Sequence, residues 1–411
     1  MATEKIGLLK KIEKIEGDIT TPKGFYAGGL HCGVKRKRLD LGWIYSDVPA
    51  NAAAVYTTNL FQAAPILVTK ESIQVSKSIQ GVIVNSGNAN ACTGEEGYKN
   101  ALQMRAAFAK KVHVPEEFIA VSSTGVIGEQ LPMEKIITGI ECIGNKKESS
   151  AANFEKAILT TDTVQKRCCV QLDIGGKKVT IAGAAKGSGM IEPNMATMLA
   201  FITTDAQVEQ EALQTALKTV TDQTFNMITI DGDSSTNDMV LLLANGLAGN
   251  DELTEKHPDW YHFLQGLKTV CQTLAMQIAS DGEGATKLVE ACVTGAASED
   301  DAKKITKAII GSNLVKTAVF GTDPNWGRII AAIGYSGAKL SNYDIHIFIG
   351  PFQVLQNGSP ILFDEEQAKI YLQENDNVQI FVQLQEGNGS AIGWGCDLTY
   401  DYVKINASYR T

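Results

Sequence analysis

Thr197 stands where a side chain could act as a nucleophile. It follows a turn rich in Gly and containing Pro (Gly187, Gly189, Pro193) and heads an apolar run from Thr197 to Ile202. A Thr hydroxyl alone is a weak nucleophile and needs an adjacent base. If the Ala196–Thr197 bond breaks, Thr197 gains a free α-amine. An α-amine has an ordinary pKa of about 8, close to working pH and suited to a general base. On spacing alone, a plain turn leading into a strand is the simpler reading, because Thr is an ordinary strand residue.

Other segments imitate functional loops. Gly187-Ser188-Gly189 resembles the start of a dinucleotide loop, but Glu192 stands where the third Gly belongs. Residues 282–287 have no P-loop spacing, and Glu283 would oppose a phosphate. Residues 231–237 imitate the first ligand positions of a calcium loop. Thr236 and Leu242, however, occupy the places that require Gly and Glu, so a turn rich in side-chain-to-backbone bonds is expected. There is no G-x-S-x-G elbow. None of His31, His113, His257, His262 and His346 lies in a catalytic pattern, which disfavours a His-dependent serine hydrolase. The basic run Lys35-Arg36-Lys37-Arg38 is short and followed at once by Leu39-Asp40, and reads as a solvated face.

The elements that must position these residues are mixed. Short β-branched runs at 81–85, 118–121, 178–182, 227–230, 239–243, 345–349 and 378–384 predict strands. Apolar residues at 3.6 spacing predict helices from Val208 to Val220 and from Phe263 to Ile278. Ser298, followed by Glu299, Asp300 and Asp301, predicts a helix start. A strand-like stretch at 286–293 precedes it, and a soft domain boundary is placed near residue 290. The order is no clean βαβ alternation, which favours an α+β fold with helices covering sheet faces.

Composition narrows the function classes. The 411 residues are 44% apolar and 20% charged, which excludes a disordered chain. The excess of acids over bases gives a net charge of −9, so nucleic acid is a poor partner. No long uninterrupted apolar run suggests a membrane span. Eight cysteines are scattered with no C-x-x-C and no zinc spacing, so no metal is expected and they read as buried thiols of a reducing compartment. The first residues lack the pattern of an export signal, which points to the cytoplasm and makes the sequons at Asn357, Asn388 and Asn406 chance matches.

Residues 186–201, Lys-Gly-Ser-Gly-Met-Ile-Glu-Pro-Asn-Met-Ala-Thr-Met-Leu-Ala-Phe, resemble the signature of the ornithine acetyltransferase (glutamate N-acetyltransferase) family of arginine biosynthesis. Segments 84–94, 122–128, 231–238, 280–287, 321–328 and 406–411 agree, in family order over essentially the whole chain. Each is weak alone; the ordered set is specific. The resemblance implies an α+β fold, a layered helix/sheet sandwich of the self-cleaving aminopeptidase/ornithine acetyltransferase type. A catalytic layered domain would span 1–290, and a smaller C-terminal α/β domain, 291–411, would close the active site.

The resemblance also implies self-cleavage between Ala196 and Thr197. That would leave an α chain of 196 residues and a β chain of 411 − 196 = 215, assembling as α2β2. Thr197 would take the acetyl group of N-acetylornithine and pass it to glutamate in a ping-pong cycle. Thr124 and Gly125 would form the oxyanion hole. Thr160, Lys186, Thr197, Glu283, Asn406 and Thr411 would bind substrate, with Lys186 on the shared α-carboxylate and Glu283 on the δ-ammonium of ornithine. Locally, Thr124-Gly125 also fits a simple turn, and Lys186 and Glu283 also fit exposed loop positions. No cofactor is implied; acetyl-CoA is a second candidate donor, as in bifunctional members. The competing readings are a self-cleaving N-terminal-nucleophile amidohydrolase or aminopeptidase, which would release acetate without glutamate, and a non-catalytic amino-acid-binding protein, which would never cleave itself.

Overall fold

The computed structural model describes residues 11–192, 198–341 and 344–408. Ala196, Thr197 and Thr411 lie outside them. The first sheet contains β1 (Glu13–Lys14), β2 (Phe25–Leu30), β3 (Leu41–Tyr56), β4 (Ser78–Asn88), β5 (Ile119–Val126), β6 (Lys166–Ile174), β7 (Lys177–Lys186), β8 (Leu199–Thr204) and β9 (Met239–Ala244). Its order is β1-β6-β7-β8-β9-β3-β4-β5, with β2 also paired to β3. The pairs β4–β5 and β8–β9 are parallel and the rest antiparallel.

The long strand β3 organises the sheet. Its first half pairs with β2 and its second half with β9, while β4 runs along the other edge. The β3–β4 register shifts between Tyr45 and Ala50, where Pro49, which cannot donate to a ladder, is accommodated. The sheet curls strongly about this strand. Lys186, at the end of β7, comes within 3.5 Å of Thr124 on β5. Five strand spacings separate β7 from β5, about 24 Å in a flat sheet and far beyond the reach of a Lys side chain.

Side chains alternate across the curled sheet, so both faces need cover. The inner face buries Ile44, Val82, Val84, Ala184, Phe201 and Leu241 with Phe154 of α4 (Ala151–Ile158). The outer faces are covered by α1 (Ala64–Ser76), α2 (Gly94–Val112) and α3 (Met133–Glu141) over β4 and β5, and by α5 (Gln210–Asp222) and α6 (Trp260–Ser280) over β6 to β9. The expected helices at 208–220 and 263–278 are α5 and α6. The layered α+β class is the one observed.

A second sheet, order β13-β12-β11-β14-β10-β15, is built from β10 (Leu288–Ala296), β11 (His346–Ile349), β12 (Phe352–Gln356), β13 (Ser359–Pro360), β14 (Asn377–Gln383) and β15 (Gly389–Cys396). Helices α7 (Glu299–Gly311), α8 (Asn313–Phe320), α9 (Trp326–Tyr335) and α10 (Glu365–Glu374) share its core, and α11 (Tyr400–Ala407) follows β15. The Ser298 hydroxyl caps α7 by accepting from the Asp301 N–H, as its sequence foretold. Trp394 and Cys396 of β15 insert into the core beneath α5 and α6, which seats the second sheet against the first.

One expected strand is absent. Residues 225–227 form a 3-10 turn, and Ile228 makes only an isolated bridge to Trp394. The Thr229 N–H bonds to the Trp394 carbonyl and that of Ile230 to the Ile191 carbonyl. Two different elements compete for the segment, so no continuous ladder forms. Among the described residues, no helix is long and apolar enough to cross a membrane.

Candidate active site

The curl of the first sheet brings the ends of β5 and β7 face to face. The end of β5 is held by an Asn-rich scaffold. Asn85 accepts a bond from the Ser123 hydroxyl at 2.5 Å and donates to the Asn88 carbonyl at 2.9 Å. Asn237 donates to the Ser123 carbonyl at 2.9 Å. Asn90 takes φ 47°, a left-handed conformation that Asn tolerates. Thr124 and Gly125 follow directly. Gly125 has φ +135°, and a Cβ there would lie 2.3 Å from the Gly87 carbonyl carbon. Only Gly fits.

The end of β7 is held by buried charges. Asp162 accepts from the N–H of Thr160 at 2.9 Å, from the N–H of Gly187 at 2.6 Å and from the Lys166 ammonium at 2.7 Å. Lys166 also donates to Asp281 at 2.5 Å, and Lys186 lies 4.0 Å from Asp162. Two ammoniums and two carboxylates thus neutralise one another out of water, the condition under which buried charge is tolerated. Burial pushes the Asp162 carboxyl up, but Lys186 and Lys166 outweigh it and hold it well below the usual carboxylate range. A second acid, Asp231, orders the Gly-rich turn by accepting from the N–H groups of Met190 at 2.6 Å and Ile191 at 2.7 Å. Within 231–237 itself, Asp231 accepts from the Asp233 N–H at 3.3 Å and the Ser235 hydroxyl from the Asn237 N–H at 3.2 Å, the side-chain-to-backbone turn that the segment suggested.

The third wall comes from the loop after α6. The Glu283 N–H bonds to the Ser188 carbonyl at 2.9 Å. Its carboxylate accepts from the Asn406 amide of α11 at 2.7 Å. Thr399 caps α11 and ties it down by donating to the Gly284 carbonyl at 2.7 Å.

These walls enclose a cavity of about 340 Å³. Thr124, Gly125, Thr160, Lys186, Glu283 and Asn406 all line it, although they come from well-separated parts of the chain. Met198 lines it too, so the covalent neighbour of Thr197 stands at its edge. The cavity offers a cation, Lys186, and an anion, Glu283. That pair matches a small molecule carrying a carboxylate and an ammonium. Among the described residues, no histidine lines it.

Several contributors were given no role by the sequence. Ser235, Asn237, Asp238 and Asp281 fall in two of the ordered segments without a stated part, and Asp162 lies outside all of them; only its spacing of four from Lys166 hints at a pair. Asp238 lines the cavity and is 4% exposed. Burial pushes its carboxyl well above the usual carboxylate range, against the opposing pulls of Ser235 and Lys186.

The ArgJ family model matches residues 26–411. The arginine biosynthesis bifunctional protein ArgJ of Oceanobacillus iheyensis is 58% identical over 408 residues, covering 99% of this chain and 98% of its own. Its Bacillus subtilis namesake is 56% identical over 401 residues, 98% of each chain. A crystal structure of the Bacillus halodurans ArgJ is 56% identical with a TM-score of 0.51; it aligns over its whole chain with 52% of this one.

Proposed function

This chain belongs to the ArgJ family of arginine-biosynthesis enzymes, and from that premise we propose that it moves an acetyl group from N-acetylornithine to glutamate through an ester on Thr197. Self-cleavage at Ala196–Thr197 supplies the nucleophile's own base. Thr197 Oγ attacks the acetyl carbonyl, and its α-amine takes the hydroxyl proton. The Thr124 hydroxyl and the Gly125 N–H stabilise the oxyanion. Lys186 pairs with the α-carboxylate common to both substrates. Glu283, oriented by Asn406, pairs with the δ-ammonium of the donor. The α-ammonium of Thr197 gives the hydroxyl proton to the departing ornithine nitrogen; glutamate's α-amine then attacks the ester, and its proton passes through the Thr197 α-amine back to Oγ. One amide is exchanged for another, so no nucleotide is needed. Acetyl-CoA is the second donor, a reading supported by the bifunctional relatives.

The observation that carries this is the convergence of Thr124, Gly125, Thr160, Lys186, Glu283 and Asn406 on one cavity beside Met198. The solved relative's length also fits the cleavage. It corresponds to 52% of this chain, and 215 of 411 residues, also 52%, follow Ala196. We take the processed pieces to assemble as α2β2.

Intact-mass analysis of active protein is expected to show two pieces divided at Ala196/Thr197. The Thr197→Ala chain is expected to stay whole and lose transfer activity. Undivided active protein, or turnover by the variant, refutes the nucleophile assignment. Acetate release without glutamate would instead indicate a hydrolase.

A further inference from the structure

The basic run Lys35-Arg36-Lys37-Arg38 is not the wholly solvated face that its composition suggests. Its loop is folded around Asp40, which is fully buried and accepts from the N–H groups of Cys32 at 2.6 Å, Gly33 at 3.1 Å and Lys35 at 2.8 Å. From there the Lys35 side chain turns inward. Its stem lies over Gly87 of β4, where a Cβ would come 3.0 Å from Lys35 Cγ. Gly87 is paired in turn with Gly125 of β5. The Lys35 ammonium donates to the Leu39 carbonyl of its own loop at 3.1 Å and to the Leu159 carbonyl at 2.6 Å. Arg38 Nη1 donates to the next carbonyl along that segment, Thr160, at 3.1 Å.

Those two carbonyls need donors. Helix α4 ends at Ile158, and Leu159 leaves it extended, at φ −68° and ψ 149°, without the glycine that commonly closes a helix. Carbonyls at a helix end have no partner within the helix. Here the Ser86 hydroxyl donates to the Ala157 carbonyl, and Lys35 and Arg38 supply the bonds to Leu159 and Thr160. Cations are also favoured at the negative end of a helix dipole. Just past this grip the chain enters the cavity wall, which Thr160 and Thr161 line. The Leu159 carbonyl and the Thr160 N–H belong to one planar peptide unit. Lys35 holds its oxygen, and Asp162 holds its N–H at 2.9 Å. The plane of that unit sets where the Thr160 side chain stands.

We propose that Lys35 is a positioning residue of the transfer reaction and acts through Thr160: by holding the Leu159–Thr160 peptide it keeps the Thr160 hydroxyl in the substrate wall, an inference that rests on the function proposed above. Arg38 is a second hold on the same residue. It is exposed, so its contribution is the smaller one. Lys35 itself does not line the cavity, so its effect on turnover passes through the residue it fixes.

The test is a double-mutant cycle on purified protein, read as kcat/KM for N-acetylornithine and glutamate beside the melting temperature. Lys35→Met keeps the stem over Gly87 and removes the ammonium. Thr160→Val keeps the shape and removes the hydroxyl. Lys35→Met is expected to lower kcat/KM by about 10- to 100-fold, the scale of a small misplacement of a group at the reaction. Beside Thr160→Val, the same change is expected to cost less than about 3-fold, because the hydroxyl it positions is already gone. A general loss of folded protein would instead lower kcat/KM by the same factor in both backgrounds. Parental kcat/KM in either single variant overturns the proposal, as does a full-sized fall from Lys35→Met beside Thr160→Val. Should Lys35→Met not fold, Arg38→Met takes its place in the cycle. Its expected fall is about 3- to 10-fold alone and none beside Thr160→Val; an absent or additive effect there overturns the proposal too. A parent chain that moves no acetyl group from N-acetylornithine to glutamate overturns the function reading, and this inference with it.

Discussion

Replacing Glu283 by Gln separates the two half-reactions. Glu283 is only 8% exposed, and its carboxylate is fixed by the 2.7 Å bond from Asn406. Gln keeps an oxygen that can accept that bond, so α11 is expected to stay in place. What disappears is the charge. An ammonium about 3.5 Å from a carboxylate gains about 5 kcal/mol at an effective dielectric of 20, before desolvation is subtracted. The net loss for a charge-assisted hydrogen bond is about 1.5–3 kcal/mol. That converts to a fall of about 10- to 150-fold in kcat/KM for N-acetylornithine. In the proposed binding mode glutamate would present a side-chain carboxylate to the same place, so removing the negative charge is expected to leave its kcat/KM unchanged or raise it. In a ping-pong cycle the two values are measured independently from initial rates over a grid of both substrates. An equal fall for donor and acceptor would refute the ammonium-pairing role.

Gly125→Ala would put a Cβ 2.3–2.5 Å from the backbone of Gly87 and Asn88, at φ +135°. These atoms cannot yield without moving the proposed oxyanion donors, so kcat is expected to fall about 10²–10³-fold with a smaller change in KM, measured by steady-state kinetics. Glu155 is a buried residue of α4 whose two oxygens lack hydrogen bonds among the described residues, and burial pushes its carboxyl from 4.5 to about 7, against the opposing pull of Arg167. Between those values the folded chain holds a proton that the unfolded chain has lost, so stability falls as pH rises from about 4.5 to 7, by roughly 3 kcal/mol in all. Glu155→Gln is accordingly expected to raise the melting temperature by a few degrees at pH 8 and not near pH 4.5; an equal shift at both counts against the burial account.

Regular elements with one dominant period were legible in the sequence. The apolar stripes of α5 and α6, the capped start of α7 and the β-branched cores of β4, β7, β9 and β14 follow from spacing and chemistry close by in the chain. β3 was missed because its stretch of alanines and Pro49 lacks the β-branched signal, and it becomes a strand through its partners. Residues 227–230 have the composition of a strand but no free edge to join. The residues lining the cavity were found through the ordered motif set. Their meeting was not legible locally, because the contact between Lys186 and Thr124 exists only once the sheet curls. The charge cluster around Asp162 was hidden for the same reason: Asp281 is more than a hundred residues from the lysine that joins them.

The strand order also bears on what cleavage does to the fold. A cut between Ala196 and Thr197 assigns β1 to β7 to one piece and β8 and β9 to the other. In the sheet, β8 and β9 lie in the middle, with β7 bonded on one side and β3 on the other. Separating the pieces would tear two strand interfaces at once, through residues that are almost all buried. Each broken ladder would leave backbone groups without partners in an apolar setting. The Asp162, Lys166 and Asp281 cluster adds a further tie, since Asp281 belongs to the second piece and the other two to the first. None of these contacts passes through the bond between Ala196 and Thr197. Releasing an α-amine at that point therefore changes the chemistry of one residue while β5, β7 and the α6–β10 loop keep the cavity walls where they were.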